Sequence, residues 1–226
     1  MRIRVFFEKK DITIPFNNQH TMNGFVYSVL KNPAKYHDSF SNYSISSIQG
    51  THITDDRKAL YFHTQPYIDI TSDNIGFITD FVNGLCESIS SGKENFFGLR
   101  PQNFISVNMV LGPEYDLVKT SSPIIIKNKE GWKLTCDDEN WEAALNEHCK
   151  LKLQHEGISD PTFRIEVLKA SKKLINVGET FNPSTNALMI VRGKKETREK
   201  LYNLGIGNST GSGFGSVEIL NKKHAL

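Results

Sequence analysis

The chain has little of what marks several large protein classes. It carries three cysteines in 226 residues, Cys86, Cys136 and Cys149, and their spacing matches no metal-ligand pattern. An odd number with no export signal fits a reducing, cytoplasmic setting. All three are expected to be small buried hydrophobes. No apolar run approaches the roughly 20 residues a membrane helix needs, so no membrane partner is expected. The opening Met1-Arg2-Ile3-Arg4-Val5-Phe6-Phe7 is too short in its apolar part for a secretory signal and reads as a strand. A strong charge of one sign is also missing, since 27 basic and 25 acidic residues leave a net +2. The local exception runs from Arg164 to Lys200, where nine basic residues face four acidic ones. Such a segment suits a polyanion partner, although a solvated mixed-charge surface would look the same.

Against these absences stands one concentration. Five of the 16 glycines fall within Gly205-Ile206-Gly207-Asn208-Ser209-Thr210-Gly211-Ser212-Gly213-Phe214-Gly215. A Walker loop would need Gly-Lys-Ser/Thr at its end, and no lysine follows. A dinucleotide fingerprint would need a strand before and a helix after. Here Lys194–Asn203 reads as a helix before the loop and Ser216–Leu220 as a strand after it, so no nucleotide cofactor is expected. Glycine permits positive φ and close approach, and such a loop can aim several N–H groups at one phosphate. Phe214, set between two glycines, is either a stacking group for a base or a core residue.

Hydrophobic periodicity orders the rest. Residues 2–8 form a first strand. A helix follows Asn17 or Asn18, with Met22, Phe25, Val26, Val29 and Leu30 on one stripe. His20, Gly24, Tyr27 and Lys31 share the opposite line. After Asn32-Pro33 come a short helical piece, Ala34 to Asp38, and a strand, Tyr43 to Ile48. Short strands are expected at Leu60–Thr64 and Tyr67–Ile70. A second helix, Asn74–Ile89, has Ile75, Ile78, Val82, Leu85 and Ile89 inward, and a strand follows at Phe104–Leu111. Beyond Gly112-Pro113 the order recurs, with an acidic helix near 138–155, strands at 163–169, 174–177 and 187–192, the helix 194–203 and a last strand. The expectation is an α+β protein of two tandem ferredoxin-like βαββαβ domains, residues 1–112 and 113–226.

With these parts assembled, the chain resembles the CRISPR-associated Cas6 endoribonucleases of the repeat-associated RAMP superfamily. The pattern Gly205-Ile206-Gly207, five residues, Gly213-Phe214-Gly215 matches that family's C-terminal glycine loop. Arg2 to Phe6 looks like its first strand. Gly24 to Leu30 is similar to its first helix, and Tyr36-His37-Asp38 to its catalytic histidine region. The resemblance implies an enzyme of antiviral defence that cuts precursor CRISPR repeat RNA without a metal. The ribose 2′-hydroxyl attacks the next phosphate, leaving a 2′,3′-cyclic phosphate and a 5′-hydroxyl. His37 falls at the catalytic histidine, and Tyr27 at a tyrosine that binds phosphate or passes a proton. The stretch 38–42 lacks the family's lysine, so Lys31 or Lys35 is a substitute, as are Ser41 or Ser44 by hydrogen bonding, with His20 as a second histidine. RNA binding would use Gly205, Gly207, Gly213, Phe214 and Gly215 with Arg192, Lys194, Lys195 and Arg198. CRISPR repeat RNA is the implied partner, with a multi-subunit interference complex and a homodimer left open. A non-catalytic RNA-binding subunit of the same fold is the alternative that the absent lysine favours.

Overall fold

The computed structural model describes residues 1–37, 42–56, 58–94, 96–177 and 180–220, with His37 described for its backbone alone. Two antiparallel sheets carry the chain. The first takes β1 (Arg2–Phe7), β2 (Thr13–Ile14), β3 (Tyr43–Ile45), β4 (Gln49–Ile53), β5 (Leu60–Ser72) and β6 (Pro101–Val107), in the order β2-β5-β1-β6 with β3 and β4 also on β5. The second takes β7 (Tyr115–Thr120), β10 (Arg164–Val177), β11 (Thr180–Arg192) and β12 (Val217–Ile219), in the order β10-β11-β7-β12. A small hairpin, β8 (Ile126–Lys127) with β9 (Lys133–Leu134), is inserted before its first helix. The helices are α1 (Gln19–Val29), α2 (Ala34–His37), α3 (Ile75–Ser91), α4 (Trp141–His155) and α5 (Lys195–Leu204). Both sheets place the third strand of the unit beside the first, and the last strand on the first one's other side. This is the tandem ferredoxin-like architecture that the alternation of strands and helices implied.

Local chemistry explains the departures from the periodicity. The α1 stripe is buried as expected, from Met22 through Leu30. On α3 the inward face is Phe77, Ile78, Phe81, Gly84, Leu85 and Ser88, while Ile75 stands 80% exposed at the first turn. The aromatic pair Phe77 and Phe81 rotates the helix, because large rings remove the most apolar area from water. Residues 60–72 form one strand rather than two. Pro66 lies opposite the register shift between Gln49 and Thr51, where its missing N–H breaks no ladder bond. The same holds for β10 and β11, which form one long hairpin arm. Of the cysteines only Cys149 is buried; Cys136 is partly exposed and Cys86 lies at the surface of α3.

The two helices of the first half cross at Gly84. A Cβ built there would lie 1.7 Å from the Val29 carbonyl oxygen. Gly84→Ala is therefore expected to push α1 and α3 apart and destabilise by roughly 1–3 kcal/mol, as overpacking does. A lowered urea midpoint at unchanged slope would report it.

Candidate nucleic-acid interface

Tyr27 is half-buried on α1, and its hydroxyl accepts a hydrogen bond from the Tyr43 hydroxyl at 3.3 Å. Burial and this bond push the Tyr43 phenol well above its ordinary pKa, so it stays a donor. Tyr43 stacks on Phe77 at 4.4 Å, and Phe77 meets Tyr36 edge-on at 5.3 Å. The Tyr36 hydroxyl donates to Asp80 at 2.6 Å. A chain of packed rings thus runs from Tyr27 to Tyr36, and Tyr36 anchors the short α2 that His37 closes. The His37 side chain lies outside the described residues, as do Asp38, Ser39, Phe40 and Ser41. His20 is exposed at the start of α1. Lys31 lies past the end of α1 and pairs with Glu87 of α3 at 2.6 Å, which raises its pKa. The expected line of His20, Gly24, Tyr27 and Lys31 is therefore split, with Lys31 drawn toward α3 and Tyr27 toward β3. Ser44 is fully buried behind Tyr43, and Lys35 sits over the Tyr36 ring at 5.2 Å.

The glycine loop is the largest revision. Gly205, Gly207, Gly213 and Gly215 all take positive φ, from +69° to +87°. Their use is close packing, since Gly205, Gly207, Gly213, Phe214 and Gly215 are all buried. The Ile206 N–H donates to the Gly215 carbonyl, Asn208 N–H to Ile125 and Gly215 N–H to Pro123. These amides are occupied inside the fold and do not face a phosphate. Phe214, 2% exposed, is a core ring and not a stacking platform. The loop wedges between the halves: a Cβ at Gly205 would meet Ser44 of β3 at 2.7 Å, and one at Gly213 would touch Gln19 and Met22 of α1. Only Asn208, Ser209 and Ser212 of the loop keep solvent exposure.

The basic candidates divide as well. Arg198 is fully buried, paired with Asp116, and it donates to the carbonyls of Gly112, Pro113 and Gly193. The expectation that Arg198 holds a phosphate fails for that reason. Arg192, Lys194 and Lys195 are exposed, with the Arg192 guanidinium 5.3 Å from the Tyr115 ring centre. They sit at the start of α5, about 15 Å of helix from the glycine loop at its other end.

Another surface went unnoticed in the sequence. Along β5 Tyr61, His63 and Gln65 are exposed and Tyr67 is half-buried, with Asp69 buried beyond them on the same face, opposite Phe62, Ile68 and Ile70. Phe6 of β1 packs on Tyr67 at 5.8 Å, and Arg4 stacks over the Tyr67 ring at 4.0 Å while forking onto Asp69. His52 of β4 stacks on His63 at 4.4 Å. Beyond the seam, Lys119 and Lys169 line a shallow groove of about 310 Å³ with Ser171 and Asn186. The signal was the alternation of Arg2, Arg4 and Phe6 with Ile3, Val5 and Phe7, which sets one face of β1 aside from the core.

Residues 111–219 match the family described as CRISPR associated protein Cas6, C-terminal. No curated protein sequence matches the chain. Solved structures share the fold along nearly all of it. The product of a Cas6-related gene from Pyrococcus furiosus superposes with a TM-score of 0.83 at 20% identity, covering 99% of both chains. A RAMP protein described as binding different RNA substrates gives 0.82 at 22% identity, covering 97% of this chain and 99% of that one. Cas6 from Thermus thermophilus gives 0.60 at 13% identity, covering 97% of each. Residues 111–219 thus match the Cas6 C-terminal domain, and the chain as a whole shares the fold of these structures.

Proposed function

We propose that the protein binds CRISPR repeat RNA and cuts it by metal-independent transesterification. The ribose 2′-oxygen forms a bond to phosphorus, the bond from phosphorus to the 5′-oxygen breaks, and the 2′-hydroxyl proton leaves to a base while the 5′-oxygen gains one. The products are a 2′,3′-cyclic phosphate and a 5′-hydroxyl. His37 carries one of the two proton transfers, since an imidazole titrates near neutral pH. Tyr27 hydrogen-bonds the phosphate and orients it, a positioning contribution. The observation that carries the reading is the run of rings Tyr27, Tyr43, Phe77 and Tyr36, which fixes α1, β3 and α2 together at the edge of the glycine loop.

The RNA strand lies along the open face of the first sheet and the Lys119–Lys169 groove. Bases stack on aromatic rings while cations follow the backbone, the general mode for single strands. Tyr67→Ala should weaken repeat-RNA binding by about 1–3 kcal/mol, the usual worth of one stacked base. A filter-binding titration measures it, and affinity should also fall steeply as salt rises.

The test of the function itself is incubation of the protein with a repeat RNA in EDTA. A single cut with a cyclic-phosphate end is expected, and intact RNA would overturn the reading. One observation favours a second reading: Lys31 is committed to Glu87 and the stretch 38–42 has no lysine. Tight binding with no cut product would identify a non-catalytic RNA-binding subunit.

A further inference from the structure

The buried turn from α5 into the glycine loop aims its carbonyls at a single charged group. Lys152 projects from α4 and is 4% exposed. Its Nζ lies 3.0 Å from the Leu204 oxygen, 3.0 Å from that of Gly205, 3.4 Å from that of Gly207 and 3.5 Å from Thr210 Oγ1. An ammonium has three protons to donate and accepts none, so this set of acceptors suits it. His148 and Cys149, on the same turn of α4, lie beside the Gly207 backbone. Burial lowers the Lys152 pKa to about 8, so the ammonium form is kept at neutral pH.

A charge on the inner face of a helix is costly where leucine or methionine would pack. What the ammonium adds is a tie across the turn where α5 gives way to the loop. Just beyond this tie, Ser209 is exposed at φ +58°, a left-handed conformation uncommon for a residue with a Cβ. Strain of this kind persists where the surroundings hold it, and it gathers at functional sites.

We propose that Lys152 is a positioning residue whose ammonium holds the glycine loop in the shape that offers Asn208 and Ser209 to the RNA and seats Gly205 and Gly213 against β3 and α1. The proposal rests on the RNA-binding reading above for its functional half. It is tested on the full chain with Lys152→Met, which keeps the volume, and Lys152→Ala, which leaves room for a small amine. In Lys152→Met, amide hydrogen exchange in residues 206–215 should quicken about tenfold to a hundredfold, the worth of charge-assisted hydrogen bonds, with β1 and β5 unchanged. Repeat-RNA affinity should fall by a similar factor. In Lys152→Ala, n-propylammonium should restore both, and 1-propanol, which fills the same space without charge, should restore neither. Unchanged loop exchange, unchanged RNA affinity, or equal rescue by the alcohol would overturn the proposal. Wild-type protein that binds no RNA would instead overturn the functional reading, with the exchange rates still deciding whether Lys152 holds the loop.

Discussion

Asp116→Ala is expected to destabilise the protein by about 3–5 kcal/mol, the usual penalty for stranding a buried charge. Asp116 and Arg198 are both fully buried. One carboxylate oxygen of Asp116 accepts from Arg198 and from the Tyr202 hydroxyl, and the other accepts the Gly112 N–H at 2.6 Å. Without the carboxylate, the guanidinium would face only the carbonyls of Gly112, Pro113 and Gly193 in a site that water does not reach. A domain's whole stability is about 5–15 kcal/mol, so a loss of this size should leave a large unfolded fraction at moderate denaturant. The double variant Asp116→Leu/Arg198→Met should recover most of the loss, because it removes both charges together. Urea melts of the two singles and the double decide this. A double variant as unstable as the sum of the singles would show that the pair does not act as a unit.

His37→Ala should slow cleavage of a repeat RNA by about 10²–10⁴, the range for loss of a general acid or base. Its RNA affinity should stay close to wild type, because a proton-transfer group contributes little to ground-state binding. Rate and affinity would then separate, which a variant that merely unfolds cannot produce. Tyr27→Phe should be milder, since the ring and its packing on α1 remain while the hydroxyl that meets Tyr43 is lost. A His37→Ala protein that cuts at the wild-type rate would remove the histidine from the chemistry.

The first half of the chain is legible from pattern because its signals are local. The α1 stripe is a 3.6-residue repeat of aliphatic and aromatic residues with one face to bury, and the core took it unchanged. On α3 the expected stripe of Ile75, Ile78, Val82, Leu85 and Ile89 gave way to one through Phe77 and Phe81, whose rings set the helix's rotation through tertiary packing. The glycine loop was legible as a place of importance and misread as to its use. Positive φ serves a phosphate cradle and a tight internal wedge equally well, and only the partners of its amides and carbonyls tell the two apart. Arg198 was misplaced for a related reason. A basic residue in a basic stretch looks solvated until Asp116, far away in sequence, is brought beside it. The Arg4–Tyr67 face was hidden because its members come from different strands.

The central claim is that the RNA's own 2′-hydroxyl is the nucleophile, with the protein supplying proton transfer and position. The most direct measurement compares a repeat RNA with the same RNA carrying one 2′-deoxy nucleotide immediately 5′ of the scissile phosphate, both incubated in EDTA. The account predicts that the all-ribose strand is cut there, while the substituted strand is bound equally well and left whole. Cleavage of the substituted strand at the same bond would contradict it.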